Sequence, residues 1–173
     1  MTKPGTVIPT IMVILFFAAA ALNAGDTLAQ GQTLKQQLTG TWTLVSNDNV
    51  GADGSRRQIF GPHPKGILIL DASGHYAQIQ VNPDRPKFKG KTRLDGTPEE
   101  NTAVLRATAA HFGTWSVNEA DKSLTVHQEM NIYPNDDGVD NKRSIALTGD
   151  EMKMFNPSPS SGGAAESVWR RVK

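Results

Sequence analysis

The sequence contains no cysteine, which excludes disulfide bonds, thiolate metal sites and cysteine nucleophiles. It has no excess of either charge, because 18 lysines and arginines are matched by 17 aspartates and glutamates. A nucleic-acid-binding protein normally needs a clustered basic surface, so this balance predicts no nucleic-acid partner. Aromatic residues make up only 6% of the chain, whereas 16 glycines and 10 prolines indicate many turns.

The motifs of common catalytic and cofactor sites are also missing from the sequence. There is no GxSxG nucleophile elbow, no GxGxxG and no P-loop. The acidic run at 136–140 lacks the ligand spacing and the final glutamate of a calcium loop. The histidines show no HxH or HExxH spacing, so we expect neither a metal nor a cofactor; they are His63, His75, His111 and His127.

An uncharged apolar run at residues 7–22 follows Lys3, and small residues follow the run. This order is typical of an export signal, with cleavage after Ala24 or Ala29, and predicts a periplasmic or secreted protein. The alternative is an uncleaved membrane anchor, since the run approaches the ~20 residues needed to cross a bilayer. We therefore divide the chain into a signal at 1–29, a lead-in at 30–37 and a domain at 38–173.

The rest of the chain shows short segments in which apolar and polar residues alternate, as in half-buried β-strands. The first runs over 41–46 and places Trp42 and Leu44 on one face. A hairpin follows, with strands at 67–70 and 75–81. Further strands are expected at 123–130, 142–147, 151–155 and 167–172. Many short strands separated by turns predict an all-β, antiparallel barrel or sandwich.

One helix is predicted among these strands. Thr97-Pro98-Glu99-Glu100 forms a capping box with proline at the first helical position. Helix-forming residues continue to Phe112, and Gly113 ends the run. We expect this helix to lie against the barrel or to cover its mouth, and a new strand to begin at Gly113-Thr114-Trp115.

The opening Gly40-Thr41-Trp42 and the closing Trp169-Arg170-Arg171 resemble the lipocalin and wider calycin pattern. That resemblance implies that Trp42 packs at the closed end of the barrel beneath Arg170 or Arg171, with Gly40 easing the start of the strand. More narrowly, residues 38–171 resemble the lipocalin-like domain family, which implies an antiparallel barrel with a pocket for a small, largely apolar molecule. The motifs that carry this resemblance are Phe60-Gly61-Pro62, Pro64-Lys65-Gly66, Asp71-Ala72-Ser73-Gly74, Pro83-Asp84-Arg85-Pro86 and Leu124-Thr125-Val126-His127.

The candidate ligand-binding side chains are polar or aromatic residues on the predicted strands. Tyr76, Gln78 and Gln80 share one face, which either meets solvent or lines a cavity. His127 and Glu129 also share a face, and form either a general acid–base pair in the cavity or an outer polar row. Trp115 and Arg143 complete the set, and Arg143 either enters the cavity or pairs with Glu129 across the strands.

Three functions are compatible with this sequence. The first is an exported protein that binds a small hydrophobic or amphipathic molecule in its barrel and meets the membrane only if its signal stays uncleaved. The second is an isomerase, cyclase or hydrolase that uses His127, Glu129 and Tyr76 in the same cavity. The third is a filled barrel that acts through its surface.

Overall fold

The computed structural model describes Met1 and residues 31–173, so the predicted export signal lies outside the described residues except for Met1. The chain from Gln32 to Lys173 forms one compact unit. Among the described helices, none has the length and apolar character needed to cross a membrane. The helices are α1 (Leu34–Leu38) and α2 (Pro98–Arg106), and the strands are β1 (Gly40–Val50), β2 (Arg56–Arg57), β3 (Lys65–Leu70), β4 (His75–Val81), β5 (Thr108–Asn118), β6 (Ser123–Asn131), β7 (Val139–Thr148), β8 (Glu151–Asn156) and β9 (Ala164–Arg171).

Eight antiparallel strands close into a barrel. The strands from β3 to β9 pair in chain order, and β1 pairs with both β3 and β9. The short β2 pairs with the far end of β1. Closure satisfies the backbone groups that an edge strand would leave open. The predicted antiparallel, lipocalin-like β-barrel is therefore confirmed.

The predicted helix is shorter than the sequence indicates. The capping box at Thr97 is formed, but α2 ends at Arg106 and β5 begins at Thr108. Residues of β5 pair with β4 from Val81 opposite Thr108 onward, so strand pairing overrides the helix-forming residues of this stretch. Gly113 lies within β5, and the prediction that it ends the helix was wrong.

Two β-bulges reset which side chains face the interior. In β1 the register shifts between Leu44 and Ser46, so that Asn47 and Asn49 point inward after Trp42 and Leu44. A second shift lies between Phe112 and Gly113, where β5 pairs with β6. Beyond that shift Met130 is 54% exposed, although strict alternation would put it inside.

One end of the barrel is closed by an apolar core around Trp42, which is fully buried. The indole Nε1 of Trp42 donates a hydrogen bond to the carbonyl of Leu38, and the Arg171 guanidinium lies 4.2 Å from the ring centroid. Arg171 also donates to the carbonyls of Thr39 and Gln37. The arginine over Trp42 is therefore Arg171, whereas Arg170 lies on the outer face, 4.0 Å from Glu151. The other core side chains are Leu34, Leu38, Leu44, Leu68, Leu70, Tyr76, Trp115, Leu124, Val126, Ile145, Met152, Met154 and Trp169.

The interior changes from apolar to polar along the barrel axis. Most strands contribute large apolar side chains near the closed end and polar ones farther along. In β6, for example, Leu124 and Val126 precede Gln128, and in β7 Ile145 lies below Arg143. Because most of the strands follow this order, the polar side chains form a layer above the core. The inward-facing polar residues of low exposure are Asn47, Asn49, Gln78, Gln80, Gln128, Asn141, Arg143 and Ser167.

Candidate functional site

A cavity of about 660 Å³ lies above the polar layer and opens at the end of the barrel opposite Trp42. Its walls are the polar side chains, and its rim consists of the segment after β2, the end of α2, the β6–β7 loop and the β8–β9 loop. Apolar rim residues include Phe60, Leu105 and Ile132. A cavity of this size accommodates a small organic molecule, with polar groups deep inside and apolar groups at the mouth.

Arg143 is a charged group deep in the cavity wall, and its side chain is almost fully buried, with 4% exposure. Its Nε donates to the side-chain oxygen of Asn141 at 2.8 Å, and its Nη1 donates to that of Gln78 at 2.8 Å. Burial lowers the pKa of Arg143 to about 10, so the guanidinium remains charged at neutral pH. Two neutral amides therefore orient a buried cation.

Tyr76 and His111 form a hydrogen-bonded pair beside this cation. The Tyr76 hydroxyl lies 2.9 Å from His111 Nδ1, and the ring centroids are 5.4 Å apart. Burial, together with the nearby Arg143 charge, lowers the pKa of His111 to about 3. Burial also raises the pKa of Tyr76 above its ordinary value. Both rings are therefore neutral at pH 7, and His111 lines the cavity as a neutral imidazole.

Asn47 and Gln80 form a second polar pair in the wall. Asn47 Nδ2 donates to Gln80 Oε1 at 2.7 Å. Asn47 Oδ1 is buried and accepts no hydrogen bond from any of the described residues. A buried acceptor without a donor is costly, so this oxygen suits a hydroxyl or amine of a bound molecule.

Three of the candidate ligand-binding residues line the cavity. Gln78, Gln80 and Arg143 do so directly, and Tyr76 lies beneath it in contact with His111. The row of Tyr76, Gln78 and Gln80 thus faces inward, which decides between the two alternatives that the sequence left open. Ile79 on the opposite face of β4 is 46% exposed.

The remaining candidates lie elsewhere. Trp115 is buried in the apolar core, where its Nε1 donates to the carbonyl of Asp71 at 3.0 Å. His127 and Glu129 are exposed on the outer face of β6, and His127 Nδ1 lies 2.7 Å from Asp140 Oδ1. The acid–base pair of the enzyme alternative is therefore outside the cavity, and Arg143 does not pair with Glu129.

Several wall residues were not predicted from the sequence. Asn47 lies in a stretch of turn-forming residues, and only the bulge after Leu44 brings it inside. His111 falls in the stretch assigned to the helix. The alternation of His111, Gly113 and Trp115 is the signal that identifies this stretch as a strand with His111 facing inward.

Comparison with known proteins identifies the family of the chain. Residues 39–172 match the family model described as a lipocalin-like domain. The chain is 30% identical over 106 residues to the 4'-hydroxy-3'-methoxypropiophenone carrier protein of Aspergillus oryzae, a match that covers 56% of this chain and 95% of that protein. A crystal structure of a lipocalin-like protein from Bacteroides uniformis superposes with a TM-score of 0.43 at 14% identity, covering 78% of this chain and 98% of that one. Because the family match spans the whole described barrel, the chain belongs to the lipocalin-like domain family.

Proposed function

We propose that this protein binds a small amphipathic molecule in its barrel and acts as a carrier or binding protein. The observation that carries the proposal is the open cavity of about 660 Å³, whose deep wall is polar and whose rim is partly apolar. The relative from Aspergillus oryzae supports it, because its name describes a carrier for an aryl ketone with hydroxyl and methoxy groups. Such a ligand would place an oxygen near the wall donors and its ring at the mouth.

A titration with N-phenyl-1-naphthylamine, an apolar dye that fluoresces when it leaves water, tests this function. We expect saturable binding of one dye per chain and displacement by 4'-hydroxy-3'-methoxypropiophenone. Native mass spectrometry of the purified protein, followed by organic extraction, would identify a molecule that co-purifies. No binding of either compound, together with a mass that shows only the protein, would contradict the proposal.

A matched pair of variants locates the bound dye. Ala165 faces the cavity from β9, so Ala165→Phe fills part of the space and should weaken dye binding by about tenfold, a change of ~1.4 kcal/mol. Val168 points outward on the same strand, and Val168→Phe adds a similar ring outside the barrel. Equal dye affinity in the two variants would place the dye outside the cavity.

We also propose that residues 1–29 direct export and are removed. The support is the apolar run after Lys3 followed by small residues at Ala24 and Ala29. N-terminal sequencing of the protein from its native host tests this proposal. A mature chain that begins after Ala24 or Ala29 is expected, and an intact N-terminus would favour the membrane anchor.

A further inference from the structure

We infer that the natural ligand is an amphipathic acid whose carboxylate binds Arg143 deep in the cavity, with its apolar body toward the mouth. This inference rests on the proposed function and specifies the chemical class of the ligand. It assigns the anchoring step to one guanidinium nitrogen, Arg143 Nη2.

The hydrogen bonds of Arg143 leave one edge of the guanidinium open. Nε and Nη1 are held by the side-chain oxygens of Asn141 and Gln78, and Nη1 also lies 3.5 Å from the sulfur of Met154. Nη2 has no hydrogen-bond partner among the described residues, yet Arg143 lines the cavity. An arginine held on two nitrogens presents the third in a fixed direction, and the N–H groups of Nη2 can donate charge-assisted hydrogen bonds to an oxyanion.

The charge of Arg143 is also uncompensated. No aspartate or glutamate of the described chain forms a salt bridge with it. The groups that contact or adjoin it, which include Gln78, Asn141 and the Tyr76–His111 pair, are neutral at pH 7. A buried ion without a counter-ion carries a large desolvation cost, and a ligand carboxylate would supply the missing partner.

Among the other residues that line the cavity, positively charged side chains outnumber negatively charged ones. Arg57 and Arg106 line the cavity near its mouth in addition to Arg143. Against these three arginines, Asp136 is the one acidic residue among the described residues that line the cavity. A concave surface with an excess of positive charge attracts anions and raises their local concentration.

Anthracene-2-carboxylate and anthracene-2-carboxamide form a matched pair of fluorescent probes, because they share shape and apolar area but differ in charge. We expect the wild-type protein to bind the carboxylate at least about tenfold more tightly than the amide, as charge-assisted hydrogen bonds are the stronger kind. Arg143→Gln should bring the two affinities within about twofold to threefold. Arg170→Gln, which removes the same charge from the outer face, should leave the wild-type ratio unchanged.

The outcomes separate this inference from the proposed function. Equal affinity of the two probes in the wild-type protein would overturn the inference and leave the binding function supported. A preference for the carboxylate that survives Arg143→Gln would also overturn it, because the anion would then bind elsewhere. Failure of both probes to bind would overturn the inference, whereas the proposed function would still be decided by the N-phenyl-1-naphthylamine titration and the native mass. If Arg143→Gln does not fold, Arg143→Lys serves instead, and a reduced but remaining preference for the carboxylate is expected.

Discussion

Of two arginines in this barrel, Arg171 lies at the closed end and Arg143 lies deep in the cavity wall, and their contacts assign them different roles. Arg171 stacks on Trp42, donates to two backbone carbonyls and lies 4.0 Å from a carboxylate oxygen of Asp150, so all its contacts belong to the closed end. Arg143 is held by two side-chain amides, lines the cavity and has no hydrogen-bond partner for Nη2 among the described residues. The same residue type thus stabilises the closed end in one case and lines the cavity in the other.

Replacement of Arg171 should destabilise the protein, whereas replacement of its neighbour should not. Arg171→Ala removes the stacking on Trp42 and the hydrogen bonds to Thr39 and Gln37, and should lower the free energy of unfolding by roughly 1–3 kcal/mol. Arg170→Ala removes only a distant, exposed ion pair and should cost less than about 0.5 kcal/mol. Denaturant melts of both variants measure these values, and equal costs would contradict the assignment of Arg171.

His111 should make stability depend on pH. The native pKa of His111 is about 3 because the ring is buried, whereas an unfolded chain has the ordinary value near 6.5. Above pH 6.5 the His111 side chain is neutral in both the native and the unfolded state, so it does not make stability depend on pH there. As pH falls below 6.5, the unfolded state binds a proton that the native state does not, so stability decreases by up to about 1.4 kcal/mol per pH unit until about pH 3.

A comparison of wild type with His111→Gln isolates this effect from the carboxylates that titrate in the same range. The wild type should lose more stability than the variant between pH 6.5 and 4, measured by urea unfolding at each pH. The carboxyls of Asp71 and Asp121, whose pKa values are lowered by hydrogen bonds accepted from Ser73 and Lys142 respectively, contribute equally to both proteins. Parallel curves would mean that His111 is protonated in the folded state.

At the scale of elements, β5 shows how local and tertiary preferences compete. The stretch after α2 contains residues that favour a helix. It forms β5 instead, because pairing with β4 gives its backbone a ladder of hydrogen bonds. Gly113 allows β5 to continue past the bulge, because a Cβ there would lie 2.0 Å from the carbonyl oxygen of His127. One glycine therefore sets the approach of β5 to β6.

Gly113→Ala should be strongly destabilising for this reason. Backbone atoms of His127 and Glu129 surround the position of the added methyl group, so the strands must separate, at a cost of roughly 3 kcal/mol. Gly138→Ala is the control, since that glycine has φ +75° but open space around it, and should cost about 1–2 kcal/mol. Thermal unfolding of the two variants compares them, and a smaller loss for Gly113→Ala would show that the bulge adapts.

For the whole molecule, the interior polarity divides the barrel into a closed apolar end, which stabilises the fold, and an open polar end, which contains the cavity. Trp42 and its apolar neighbours fill the closed end, whereas the polar layer and the cavity occupy the remainder. Polar walls bury less apolar surface than a filled barrel would. The stability of the fold therefore depends mainly on the closed end.

Trp42→Ala tests this division. It should lower the free energy of unfolding by roughly 3–5 kcal/mol, the usual cost of truncating a fully buried aromatic side chain. The folded fraction should bind N-phenyl-1-naphthylamine with an affinity within about threefold of wild type, because distant sites act nearly independently. Calorimetry and dye titration on the same sample measure both, and a loss of dye affinity much beyond threefold would mean that the two ends are coupled.

The sequence by itself determined the antiparallel strands, the Trp42 face and the N-terminus of α2. Strand alternation and the capping box at Thr97 are local signals, since period and capping depend on residues only a few positions apart. For β4, the sequence identified the two faces but not the one that meets the interior, because alternation is the same whichever face is buried.

Only the tertiary structure decided which polar side chains meet in the cavity. Barrel closure turned Tyr76, Gln78 and Gln80 inward and His127 and Glu129 outward. The polar residues that line the cavity come from several strands. One from each of six strands is Asn47, Gln78, His111, Gln128, Arg143 and Ser167. Their proximity depends on strand register and on two bulges, which arise from pairing between segments far apart in the chain. No local pattern carries that information, because register is the result of all the strands packing together.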